Sequence, residues 1–295
     1  MNNVSRHTPV LLKEIIELLN PQPNENFIDC TLGGAGHALA ILEKTAPRGK
    51  VLGIDASDES LRIVSSYIKG RDLETRLILV RDNFVNLRRI VEENNFCEVD
   101  GILFDLGLST DLLESSGRGF SFLCDEKLDM RFDDRADIST AVDLINGLKQ
   151  EQLADIFYRY GEERRSRRIA EAIVLARRKQ RINTTGELSE IVKRAISGRG
   201  KINPATKVFQ ALRIAVNHEL DNLSSAIDQS IGILNKNGRL AIISYHSLED
   251  RIVKNKFKNN ESLKIINKKP IISSREEILI NRRARSAKLR VVEKI

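Results

Sequence analysis

Three acids and one aromatic residue stand at or just after the ends of short apolar runs: Asp29, Asp55, Phe84 and Asp105. Asp29 opens into Thr31-Leu-Gly-Gly-Ala-Gly-His37, and Asp55 closes Val51-Leu-Gly-Ile-Asp55. Glycines between a strand and a helix let the backbone approach a ligand closely and admit positive φ. An acid ending the second strand can accept both hydroxyls of a ribose. The pattern reads as a nucleoside pocket whose turn is Gly33, Gly34, Ala35, Gly36 and His37. A dinucleotide is disfavoured, because Gly-x-Gly-x-x-Gly counted from Gly34 needs glycine at position 39 and the chain has Leu39. A cofactor without phosphates, such as S-adenosylmethionine, asks only for close approach of the loop. Phe84 can lay its face on an adenine, and Asp105 can pair with the ammonium of the cofactor's amino-acid portion.

A second set of polar groups is Ser244-Tyr245-His246-Ser247, at the end of a later apolar run. Tyr245 can stack on a target base, and His246 can orient an amine or collect a proton. An imidazole at that place can equally cap the next helix or sit in the core.

The elements that must position these groups alternate. Strands are expected at 27–29, 50–55, 77–80 and 99–105, with helices at 36–44, from Ser57 as N-cap onward, and at 85–93. An amphipathic helix over 8–19 precedes them. Successive strand-helix units imply a doubly wound, mostly parallel α/β sheet. Between 106 and about 216 no comparable strand occurs, while helical patterns cover 152–159, 163–178, 185–196 and 205–218. That stretch is expected to be an inserted helical subdomain. A helix to Leu234, a turn at Asn235-Lys-Asn-Gly238 and a strand at 239–245 then resume the alternation, with two more strands at 264–267 and 288–293. The expected division is a sheet domain of 1–108 and 217–295 and an insert of 109–216.

The 295 residues are 41% hydrophobic, with no 18-residue apolar run and no signal-peptide plan at the N-terminus, so a cytoplasmic chain without a membrane partner is expected. Cys30, Cys97 and Cys124 form no Cys-x-x-Cys pair, which argues against zinc and disulfides. No metal is expected, and the thiols read as reduced and mostly buried. The net charge of +7 is segregated: residues 159–201 carry thirteen Lys/Arg against five Asp/Glu, and residues 254–294 thirteen against four. Basic blocks on an otherwise acidic chain suggest a polyanion. Arg164, Arg165, Arg167 and Arg168 stand at the start of a helix whose Ile169, Ala172, Ile173 and Ala176 are spaced for burial, and they suit phosphate contacts. The run Asn281-Arg-Arg-Ala-Arg285 suits the same task. Arg131, between Met130 and Asp133-Asp134, reads as half of a structural salt bridge.

Nine segments carry a resemblance. They are Thr31-Leu-Gly-Gly-Ala-Gly-His37, Asp105-Leu-Gly-Leu-Ser109, Arg118-Gly-Phe-Ser-Phe122, Leu128-Asp-Met-Arg131, Tyr160-Gly-Glu-Glu163, Pro204-Ala-Thr206, Phe209-Gln-Ala-Leu-Arg213, Ile243-Ser-Tyr-His-Ser-Leu-Glu-Asp-Arg251 and Arg283-Ala-Arg-Ser-Ala-Lys-Leu-Arg290. In that order the chain resembles the bacterial ribosomal RNA small-subunit methyltransferase H family, also called MraW. The resemblance implies a Rossmann-like class I methyltransferase that uses S-adenosylmethionine to methylate the exocyclic N4 amine of a cytidine in the decoding region of small-subunit ribosomal RNA. It implies cofactor contacts from Ala35-Gly36-His37, Asp55, Phe84 and Asp105, and an insert that recognises the RNA. It departs at Leu112, where the family usually has a glutamine near the cofactor. Alternatives are a protein-amine methyltransferase of the same architecture and a noncatalytic RNA-binding assembly factor. Oligomeric state, and free RNA against the assembled subunit as substrate, are left open.

Overall fold

The computed structural model describes residues 8–107, 117–133, 137–196 and 203–295; Ser109, Leu112 and Asp134, named above, lie outside them. The chain divides into two compact units, Met1–Ser109 with Leu220–Ile295, and Thr110–Glu219.

The first unit is a layered α/β structure. Its strands are β1 (Asn26–Asp29), β2 (Val51–Asp55), β3 (Leu77–Arg81), β4 (Val99–Asp105), β5 (Leu234–Ser244), β6 (Leu263–Ile265) and β7 (Lys288–Lys294). They form one sheet in the order β3-β2-β1-β4-β5-β7-β6. β1 to β5 pair in parallel, while β7 runs antiparallel to both β5 and β6. Successive side chains of a strand point to opposite faces, and here both faces are covered, which is why the strands read as continuous apolar runs. Phe27, Leu103, Ala241 and Ile243 share one buried cluster with Ile15 of α1 (Leu12–Leu19), Ile41 of α2 (Gly36–Lys44) and Val64 of α3 (Asp58–Ile68). Their neighbours Ile28, Ile102, Phe104 and Ile242 share the other with Ile90 of α4 (Leu87–Glu93).

Two local expectations met tertiary constraints. The turn expected at Asn235–Gly238 is a bulge within β5, because Leu234 already pairs with Val99 and the ladder resumes at Gly101 and Arg239. Asn237 takes φ +65° there. Cys30 is buried as expected, but Cys97 and Cys124 are exposed, which corrects the reading of mostly buried thiols.

The second unit contains α5 (Ala141–Gly147), α6 (Gln150–Arg159), α7 (Ser166–Arg177), α8 (Thr185–Ala195) and α9 (Ala205–Asn217). Its core includes Leu153, Phe157, Ile169, Ile173, Leu188, Val192, Val208 and Leu212, all buried. On α7 the buried set adds Ala170 and Val174, while the expected Ala172 and Ala176 are only partly covered. Helix α5 is too short for apolar periodicity to announce it. Thr140 and Asp143 form a reciprocal capping box at its start, a signal that three-residue spacing could have supplied. Arg131 pairs with Asp129 at 2.8 Å, so the salt bridge expected beside Asp133 and Asp134 includes the preceding acid. Burial alone would raise the Asp129 carboxyl, but the Arg131 hydrogen bonds and charge outweigh it and hold it below its ordinary range. The chain then continues through α10 (Glu219–Ile233), and α11 (Ser247–Lys258) follows β5, with α12 (Arg275–Ile280) before β7. No described helix is long and apolar enough to cross a membrane.

Candidate active site

The strand order reverses between β1 and β4, and in open parallel sheets such a reversal opens a crevice at the carboxyl ends of the strands. Asp29 ends β1, Asp55 ends β2 and Asp105 ends β4, so three carboxylates line one edge of the sheet. The glycine turn is built from the same strands. Thr31 N donates to Asp29 Oδ1 at 3.1 Å, and Leu32 N to the Ile54 carbonyl at 2.9 Å. Among the expected glycines only Gly33 takes positive φ, at +49°; the second left-handed residue is Ala35 at +59°, the N-cap of α2. Gly36 serves differently: a Cβ there would stand 2.7 Å from Pro9 Cγ. The N-terminus of α2 has no side-chain cap.

Asp55 accepts a backbone N–H on each oxygen, from Gly33 at 2.7 Å and from Ser57 at 2.7 Å. Burial pushes its carboxyl up, and those two hydrogen bonds oppose the shift. Asp29 is almost fully buried, and burial raises it to about 6 against the opposing effects of His37 and the Thr31 N–H. Phe84 starts a short 3-10 turn, Phe84–Asn86, entered through Asn83, whose Oδ1 accepts from Val85 N at 3.0 Å. Its half-buried ring meets Phe104 edge to face, with centroids 5.5 Å apart.

Asp105 is the most connected of the predicted groups. Its backbone N–H donates to Thr31 Oγ1 at 2.6 Å. Tyr245 donates its phenolic O–H to Asp105 Oδ1 at 2.6 Å. His37 Nε2 stands 3.7 Å from Asp105 Oδ2, and among the described residues neither ring nitrogen of this buried histidine has a hydrogen-bond partner. The Tyr245 ring lies against Gly107: a Cβ at 107 would come within 2.9 Å of Tyr245 Cε2. Burial first, and then the facing Asp105 carboxylate, push the phenol well up.

His246 is the N-cap of α11, its Nδ1 accepting from Glu249 N at 3.3 Å. Glu249 reciprocates: its Oε2 accepts from Tyr245 N at 2.7 Å and from His246 N at 3.2 Å. The imidazole therefore holds the corner between β5 and α11. Thr31, Gly107 and Glu249 lie within segments singled out in the sequence, but no role was read for them there. Glu249 was findable from its three-residue spacing after His246; Thr31 and Gly107 act through partners far along the chain.

In the second unit Arg164, Arg165, Arg167 and Arg168 are all exposed at the start of α7. The N-terminus of a helix carries partial positive charge, so cations there are unfavourable unless an anion joins them.

The model of the MraW methylase family matches residues 4–295. The chain is 48% identical to ribosomal RNA small subunit methyltransferase H of Desulfotalea psychrophila, over 98% of each chain. It is 45% identical to the protein of the same name from Clostridium botulinum, over 98% of this chain and 99% of that one. A solved rRNA-methylase structure from Clostridium thermocellum superposes with TM-score 0.50 at 11% identity, covering 99% of this chain and all of that one, a likeness of fold alone.

Proposed function

This chain belongs to the MraW methylase family, and from that premise we propose that it methylates the exocyclic N4 amine of a cytidine in the decoding region of small-subunit ribosomal RNA, with S-adenosylmethionine as donor. The observation that carries the reading is the edge formed by Asp29, Asp55 and Asp105 around the glycine turn, with Tyr245 hydrogen-bonded to its last member.

The residues fit the cofactor. Each Asp55 oxygen uses one acceptor direction on backbone and retains another for a ribose hydroxyl. Phe84 offers a ring for the adenine, the uncapped start of α2 suits a carboxylate, and His37, whose buried nitrogens have no hydrogen-bond partner among the described residues, gives the crevice a polar wall. When bound, S-adenosylmethionine supplies an electrophilic methyl group. Gly33, Gly34, Ala35, Gly36 and His37 form the wall that holds it.

Toward the target, cytosine's amine is a weak nucleophile because its lone pair is delocalised into the ring. The protein's task is orientation: acceptors must fix the amine N–H groups so that its nitrogen faces the methyl. Asp105 is the acceptor at the sheet edge, and a carboxylate's about four lone-pair directions exceed the one that the Tyr245 O–H takes. Tyr245 and His246 support that edge from the end of β5. Extruding or capturing one base in structured RNA calls for a separate grip on the backbone. The insert of about residues 109–216 supplies it through Arg164, Arg165, Arg167 and Arg168, a cluster that a phosphate would relieve. The proposed setting is cytoplasmic, with small-subunit ribosomal RNA as the substrate.

Transfer of labelled methyl to deproteinised ribosomal RNA, to small subunits and to total protein tests the reading. Label on one cytidine of small-subunit RNA is expected. Label confined to protein, or RNA binding without label, would sink it.

A further inference from the structure

Tyr245 and Asp105 are 140 residues apart in the chain and meet through a 2.6 Å O–H to carboxylate hydrogen bond. Three features make this contact more than incidental packing. The ring fills the space that a Cβ at Gly107 would take, 2.9 Å from Cε2, so the missing side chain at 107 is what lets the phenol lie there. The Tyr245 N–H is held by Glu249 Oε2 at 2.7 Å, which anchors the residue at the β5 corner. The Asp105 N–H is held by Thr31 Oγ1 at 2.6 Å, which ties the acceptor to the glycine turn. Both partners are thus fixed at their backbones, and the phenol reaches the one oxygen, Oδ1, opposite to the Oδ2 that faces His37 at 3.7 Å.

We propose that Tyr245 is a positioning residue for Asp105: its O–H fixes which way the carboxylate faces and keeps that carboxylate ionised. This assigns Tyr245 a task other than stacking on the target base, and it deepens the methyltransferase reading, on which it rests for its consequence in catalysis. A hydrogen bond donated to a carboxylate stabilises the charged form, because the neutral acid would give up part of that interaction. Short O–H to carboxylate bonds are among the stronger ones in proteins. The charged and titratable groups facing the pair are Asp29 and His37 on the Asp105 side, and Arg283 and Glu249 on the Tyr245 side. An ionised Asp29 would oppose ionisation of Asp105 and a protonated His37 would favour it. An ionised Asp105 accepts from amine or ammonium N–H groups with both oxygens, whereas the acid form would offer one hydroxyl donor to a donor.

The test is Tyr245→Phe in the full chain, which keeps the ring on Gly107 and removes only the O–H. In the protein without ligand, carboxyl carbon NMR should show the Asp105 titration midpoint rising by about one pH unit in the variant, as expected for loss of one hydrogen bond to a charged group. An unchanged midpoint overturns the proposal, whether or not the wild type transfers methyl groups. If the wild type methylates RNA, the acid limb of kcat/KM should move up by the same unit in the variant. In an Asp105→Asn background, Tyr245→Phe should change kcat/KM less than about twofold, because the two residues act as one unit. Equal losses in both backgrounds would assign Tyr245 a purely structural role. Failure of methyl transfer by the wild type, with the NMR shift intact, would overturn the methyltransferase reading and leave the positioning relation standing.

Discussion

Asp55 Oδ2 accepts the Gly33 N–H at 2.7 Å, so the carboxylate that ends β2 holds the loop that leaves β1. The other oxygen takes the Ser57 N–H at the start of α3. One side chain therefore shapes the glycine turn and the start of α3, and in the proposed function the same negative charge would serve a ribose.

Replacing Asp55 by alanine is expected to weaken S-adenosylmethionine binding by about 1–3 kcal/mol, the range for hydrogen bonds to charged groups. Isothermal calorimetry reads this directly. Affinity equal to that of the parent would remove Asp55 from the cofactor contacts.

Asp29 gives a pH-dependent stability. Its folded value near 6 lies above the ordinary carboxylate value of about 3.9. Between these pH values the folded chain retains a proton that the unfolded chain has released, so stability falls as pH rises through the window and the cost is complete above it. Asp29→Asn keeps an acceptor for the Thr31 N–H and removes the charge. It should stabilise the chain by about 2–3 kcal/mol at pH 7 and by almost nothing at pH 4. Urea unfolding at the two pH values checks the sign, and an equal gain at both would refute the linkage.

His246 is expected to act as a cap. His246→Ala should cost about 0.5–2 kcal/mol of stability. His246→Asn, which can still accept from the Glu249 N–H, should recover most of it together with turnover. Should turnover stay low in a His246→Asn variant of normal stability, the imidazole itself takes part in the chemistry.

The four arginines at the start of α7 are expected to hold RNA phosphates. Reversing charge at Arg165 and Arg168 together should weaken RNA binding about equally across sequences and flatten the salt dependence by about one unit of slope for each phosphate that is no longer neutralised. Fluorescence anisotropy over a range of salt concentrations measures both. A parallel salt dependence in parent and variant would show that these arginines hold no phosphate.

Much of the sheet edge and its glycine turn was legible in the residues because their signals are local. Apolar runs ending in Asp29, Asp55 and Asp105, with glycines after the first, follow from strands buried on both faces that must deliver their polar groups at one edge. Helix starts at Ser57 and His246 were equally local, since a cap reaches only three residues. For His246 that same reach gives the capping geometry, with Glu249 reciprocating.

What the sequence determined alone was the parallel α/β sheet, its helical interruption and the acids at its edge, because periodicity and turn chemistry act over a few residues. Tertiary structure decided the rest. It chose the antiparallel entry of β7 between β5 and β6, since only assembly shows which edge of the sheet remains to be paired. It turned an apparent loop at Asn235–Gly238 into a bulge, because strand pairing on either side held the ladder together. It also brought Tyr245 to Asp105 and Thr31 to the Asp105 backbone, contacts across 140 and 74 residues. No local pattern encodes such pairs: they exist only when a packed sheet sets the ends of distant strands side by side and leaves, at Gly107, the room for a ring.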